Sequence, residues 1–171
     1  IPEGISVFEV VASGRYTSSR ASLLSAVLRL PSYRRTRKGD VVEAERVLQL
    51  VGLADLHDAE AVSLPLGQRR MLEVARSLIS HPGVLLLDEV ASGLDEHEVE
   101  RLSDVSRKVA NAGGTVVLVE HNFQLVLALA DTIVALAHGE VMDEGTPDEI
   151  ASNARVPGEY LGVEAEEIPT P

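Results

Sequence analysis

Two short apolar runs dominate this chain, and each ends in side chains that carry chemistry. Val84-Leu85-Leu86-Leu87 is followed by Asp88-Glu89, and Thr115 to Val119 is followed by Glu120-His121. His81-Pro82-Gly83 precedes the first run and Gly113-Gly114 the second, so both read as short buried strands. Between them, about Glu96 to Asn111 places Val99, Leu102, Val105 and Val109 at helical spacing. Strand–helix–strand order implies parallel pairing with a right-handed crossover. Open parallel sheets gather ligands at the carboxyl ends of their strands, which is where Asp88, Glu89 and His121 fall. The fold class is therefore α/β.

Upstream of Ser63 the pattern is helical. Ser6-Val7-Phe8-Glu9 has the spacing of a capping box, with Gly14 as a stop. Ala21 to Leu30 reads as a second helix closed by Pro31, and polar, basic Ser32 to Gly39 as a loop. Asp40 with Glu43 marks a further helix start. Val41, Ala44, Val47, Leu48 and Val51 form its face and Gly52 ends it. Gly67 opens another helix to about Ser80, with Met71, Leu72, Ala75, Leu78 and Ile79 as its apolar stripe. Phe123 to Leu129 reads as a helix, Thr132 to Ala137 as a strand, and His138-Gly139 as a hairpin turn into Glu140 to Glu144. Thr146-Pro147-Asp148-Glu149 combines a cap, a proline at the first helical position and a box-completing Glu. A polar tail follows Ser152. The expected organisation is a helical subdomain over 1–63, a sheet core over 64–150 and a tail over 151–171.

Composition removes several classes of function. A net charge of −12 argues against a nucleic-acid surface, and 3% aromatic residues leave few platforms for stacking bases. There is no cysteine, so no disulfide framework. No apolar run approaches the roughly 20 residues of a spanning helix. A phosphate-cradling G-x-x-x-x-G-K-[ST] loop needs a lysine after its last glycine. The only lysines, Lys38 and Lys108, follow Arg37 and Arg107, so that loop is absent from these 171 residues.

Each remaining motif has a functional and a structural reading. Asp88 suits a water-mediated Mg²⁺ contact and Glu89 a base acting on water; acids closing an apolar strand also occur for structural reasons alone. Leu64-Pro65-Leu66-Gly67-Gln68 places a helix N-terminus where its amides could receive phosphate, or simply turns the chain into a core helix. Ser92-Gly93-Leu94-Asp95 is a turn before a helix, and its place three residues after Glu89 gives it interest. His57, His81, His97 and His138 read as satisfied or exposed residues, whereas His121 stands at a strand end. Arg34, Arg35, Arg37 and Lys38 read as a solvated loop, or as a contact for lipid head groups or an acidic partner.

In this order and spacing, the four motifs resemble the nucleotide-binding subunit of ATP-binding cassette transporters. Val84 to Glu89 resembles the Walker B strand, with Val90 where a proline commonly follows. Leu64 to Gln68 resembles the signature motif, with Pro65 and Leu66 replacing the usual Ser and Gly. Ser92 to Asp95 resembles the D-loop, and His121 the switch histidine. The departures at Pro65 and Leu66, the helical insert, Asp143 to Ile150 and Glu159-Tyr160-Leu161-Gly162 look most like importers of branched-chain amino acids. The resemblance implies a P-loop NTPase-like parallel sheet with a helical subdomain, present as its C-terminal part. The start at Ile1 without a methionine fits that expectation. It also implies ATP and Mg²⁺ as cofactors, with Asp88 on the metal and Glu89 and His121 as catalytic residues. Leu64, Pro65, Leu66, Gly67, Gln68 and Asp95 would face nucleotide, the signature residues serving the site of a second ATPase subunit. Implied partners are that subunit, transmembrane permease subunits and, indirectly, a solute-binding protein, with the chain on the cytoplasmic face of the plasma membrane. The fragment alone is expected to be inactive. Rival readings are a cassette-shaped interaction module that does not hydrolyse ATP, and a cassette ATPase outside transport.

Overall fold

The computed structural model describes residues 3–17 and 31–153, so the helix expected over Ala21 to Leu30 and the tail beyond Asn153 lie outside them. The chain divides into two compact units, Ile1–Val117 and Leu118–Pro171.

In the first unit, helix α1 (Val7–Ser13) starts at the expected box. The Ser6 amide donates to Glu9 Oε2 at 2.9 Å, and the Glu9 amide donates to Ser6 Oγ at 3.2 Å. The same end of α1 is tied to the segment before the 64–68 motif. Val7 N donates to Ala59 O (3.0 Å), and Ala61 N donates to Ile5 O (2.9 Å).

Helix α2 runs from Pro31–Val51 and corrects two expectations. Ser32 to Gly39 is helical, because proline suits a first helical position and Arg34, Arg35, Arg37 and Lys38 are good helix formers. Asp40 and Glu43 therefore lie inside a helix and do not open one. Asp40 instead accepts from Arg15 Nε at 2.9 Å, and Glu43 accepts from Arg46 Nη2 at 2.7 Å. Ala44, Val47, Leu48 and Val51 are buried as the spacing implied, while Val41 is exposed.

Helix α3 (Leu66–Leu78) buries Met71, Leu72, Val74, Ala75 and Leu78. It packs on α1 and α2 in one core with Val7, Val10 and Val11. Strand β1 (Val84–Asp88), helix α4 (Glu96–Asn111) and strand β2 (Thr115–Val119) follow. The two strands are neighbours in a parallel sheet, with Thr115 N donating to Gly83 O at 2.9 Å. Strand β1 is not buried on both faces as its apolar run suggested. Leu85 and Leu87 point into the core, whereas Val84 and Leu86 stand on the opposite, exposed face, because side chains alternate along a strand.

The second unit begins within β2. Helix α5 (Phe123–Leu129) is capped by Asn122, whose side chain accepts from Leu125 N at 3.1 Å. Strands β3 (Ile133–Ala137) and β4 (Glu140–Gly145) form an antiparallel hairpin. Its two-residue turn, His138-Gly139, has φ of 52° and 82°, the positive pair that a type I′ turn demands. Helix α6 (Pro147–Ser152) opens on the Thr146/Glu149 box. Ile133, Ala135 and Ile150 form this unit's core, packed by Phe123, Val126, Leu127, Ala130 and Met142.

Candidate functional site

The site is built where the β1 strand end, the turn after it and the start of α3 meet, all within the first unit. Strand β1 stops at Asp88 because the next residue leaves the extended region. Glu89 has φ 47°, a left-handed conformation that costs a non-glycine residue about 1–2 kcal/mol. Its carbonyl is held by Arg70, whose Nη1 donates to it at 2.5 Å, and lies 3.4 Å from the Ser92 amide in the following turn. The carboxylates of Asp88 and Glu89 belong to exposed residues.

The turn continues through Gly93, with φ 81°, to Asp95. Asp95 caps α4: its Oδ1 accepts from the Glu98 amide at 2.8 Å, and its own amide donates to Glu98 Oε2 at 3.0 Å. Both glycines of the site stand directly against side chains of a neighbouring segment. A Cβ on Gly67 would come within 2.0 Å of Glu98 Oε2, and one on Gly93 within 3.2 Å of Leu66 Cδ2. The 64–68 motif and the 92–95 turn are thus packed against each other.

Leu64 is buried and anchors the motif, while Pro65 and Leu66 are exposed. Pro65 is extended (φ −53°, ψ 158°) and offers no side-chain cap to the first amides of α3. A helix start without its own cap, at the positive end of the helix dipole, is suited to an anion. Among the described residues, no group of three or more His, Asp or Glu side chains could hold a metal by itself. Asp88 offers a single exposed carboxylate at the strand end; hard cations such as Mg²⁺ commonly bind through one or two carboxylates, with phosphate and water as the other ligands.

The structure thus sets Leu66 and Gly67 of the 64–68 motif against Gly93 and against Glu98, the residue that caps back onto Asp95, with Glu89 linked to α3 through Arg70. His121 is exposed, two residues past the end of β2, and belongs to the second unit. Sequence reasoning missed Glu98 and Arg70. The Asp95-x-x-Glu98 spacing was a readable capping signal. Arg70 carried only a weaker sign: it lies three residues after Gly67 on the same helical face.

These features can be set beside known proteins. The family model described as ABC transporter matches residues 6–92, just over half of the chain and all of the first-unit site except the end of the turn. The chain belongs to the ABC transporter family. The high-affinity branched-chain amino acid transport ATP-binding protein LivG of Escherichia coli (strain K12) is 31% identical over 159 residues. That match covers 92% of this chain and 62% of LivG. BraF of Pseudomonas aeruginosa, with the same description, is 33% identical over 154 residues, covering 90% of this chain and 60% of BraF. The chain thus spans about three fifths of the length of these ABC relatives. An ATP-binding cassette of an ABC transporter shares the fold, at a TM-score of 0.72 and 22% identity over 92% of this chain and 63% of its own. Its ADP conformation gives 0.68 over 94% and 63%.

Proposed function

We propose that these residues are the C-terminal portion of the ATP-binding, ATP-hydrolysing subunit of an ABC importer for branched-chain amino acids. The reading is carried by one observation: an uncapped helix start, at Pro65 and Leu66, packed against the turn that follows an Asp-Glu strand end. Family membership, and the names of LivG and BraF, support the choice of ATP and of the solute class. A phosphate loop of the G-x-x-x-x-G-K-[ST] kind is absent from this sequence, so the complete subunit would supply it from another part of its chain.

In this reading Asp88 holds Mg²⁺, which when bound neutralises charge on the phosphates. Glu89 orients the attacking water and takes its proton, and its left-handed backbone turns its side chain out of the strand's alternation. His121, just past the end of β2, would contact the terminal phosphate, as the resemblance to the switch histidine implies. Leu64 to Gln68 serve the nucleotide of a second ATPase subunit through the first amides of α3, and Asp95 lies at the junction of the two. Little covalent work falls to the protein; positioning and charge stabilisation supply the acceleration. The permease subunits and a solute-binding protein complete the transporter, with this subunit on the cytoplasmic face of the plasma membrane. Among the described residues, no helix is long and apolar enough to cross a membrane.

The test is Glu89→Gln in the full-length subunit assembled with its permease. ATP binding should persist while turnover falls by at least about a hundredfold, the scale of a lost general base. Hydrolysis at the parent rate would remove Glu89 from its role.

A further inference from the structure

We propose that Arg70 is a positioning residue for Glu89, fixing from the side of α3 the backbone from which that carboxylate acts. The inference rests on the reading of Glu89 as the base and adds to it a residue outside the 64–68 motif and the strand end. Glu89 is one of three non-glycine described residues with positive φ; the others are His81, in the turn before β1, and His138, in the turn between β3 and β4. A strained backbone persists only when its surroundings hold it. Inside the turn, the Glu89 carbonyl has a long contact of 3.4 Å from the Ser92 amide. The short one, 2.5 Å, comes from Arg70 Nη1, nineteen residues earlier in the chain. A cationic donor makes this the stronger of the two.

Arg70 Nε is buried and has no acceptor among the described residues, so no carboxylate competes for the guanidinium at that atom. Arg70 is half-buried, at the edge of the stripe formed by Gly67, Met71 and Val74. It lies three residues, less than one helical turn, from Gly67. A shift of the α3 start, where an anion would sit, therefore moves the donor that sets Glu89. One rigid helix then links the nucleotide contact that the chain lends to its partner with the base that it uses itself.

The experiment compares Arg70→Met, Arg70→Lys and Glu89→Gln in the full-length ATPase assembled with its permease. Arg70→Met should lower kcat by at least about tenfold, the loss expected for one charge-assisted hydrogen bond. KM for ATP should stay within about twofold, because the role assigned to Arg70 is on the Glu89 backbone and not on the nucleotide. Amide exchange over Val90–Leu94 should quicken. Arg70→Lys, which keeps a cationic donor, should recover most of kcat; a role in packing alone would predict no such split and no such rescue. If Arg70→Met does not fold, Arg70→Gln gives the same comparison with a neutral donor. An unchanged kcat in the Met or Gln variant, with Glu89→Gln inactive, overturns the role of Arg70 alone. Parent-level turnover in Glu89→Gln overturns this inference together with the reading it rests on.

Discussion

Gly67 and Glu98 touch so closely that a single added carbon would separate them. A Cβ at Gly67 would lie 2.0 Å from Glu98 Oε2 and 2.6 Å from its Cδ. The obstacle is the far end of a flexible side chain, so Gly67→Ala should swing the carboxylate aside without expelling α4. What is lost is the bond from the Asp95 amide to Glu98 Oε2, part of a capping box worth about 1 kcal/mol. Removing a helical glycine returns about 0.5–1 kcal/mol. Gly67→Ala should therefore change stability by less than about 1 kcal/mol. In a Glu98→Ala background the same substitution should become stabilising, since the clash is gone. A double-mutant cycle read by urea unfolding checks this coupling; simple additivity would show that the contact has no energetic content.

The same pair shows what the sequence could and could not disclose. Helix and strand bounds near the site were legible because periodicity and breakers agree. Glu96 to Asn111, Thr115 to Val119 and Phe123 to Leu129 fall where the pattern put them. The error over Ser32 to Gly39 came from reading charge as loop, when arginine and lysine are also strong helix formers. The half-exposed β1 was misread because four consecutive apolar residues carry no alternation from which to tell a one-sided strand. Arg70 reaching the Glu89 carbonyl was invisible for another reason: a long side chain crossing between elements has no local signature.

Glu43 makes stability depend on pH in a predictable direction. The hydrogen bonds from Arg46 are the main cause holding its carboxyl below the ordinary 4.5, opposed by burial and helped by the charges of Arg46, His81 and Arg15. A depressed folded-state pKa adds stability above the unfolded value, and that stability fades as pH falls through the folded value. Glu43→Gln should thus destabilise the protein at neutral pH. The gap from the parent should be constant down to about pH 5 and close below 4.5. Urea midpoints across that range read the effect; a gap that widens with acid would contradict it.

ATP affinity of the 171-residue chain follows from the site's make-up. The start of α3 offers amides and a dipole, and Asp88 a carboxylate, but no lysine completes a phosphate loop. One helix terminus contributes about 0.3–1 kcal/mol at an exposed position, far short of the roughly 8 kcal/mol of micromolar binding. Isothermal calorimetry with Mg-ATP on residues 1–171 should show no binding tighter than about a millimolar. A micromolar constant would mean that phosphate is held by groups other than those assigned.

The two faces of β1 should answer the same substitution in opposite ways. Leu85 and Leu87 are each 3% exposed, whereas Val84 is 56% and Leu86 72% exposed, with Val117 of β2 exposed as well. Threonine keeps β-propensity, so each leucine replacement tests burial more than strand formation. Leu87→Thr in the 171-residue chain removes buried methyl groups and hides a hydroxyl, and should cost about 2–4 kcal/mol. Leu86→Thr removes surface that is already in water and should stay within about 0.5 kcal/mol. It should also weaken binding of a hydrophobic dye, because Val84, Leu86 and Val117 are apolar side chains left in water. Thermal melts and dye fluorescence of the two variants measure both effects. Equal losses of stability would show that Leu86 is as deeply packed as Leu87 and that the alternation is wrong.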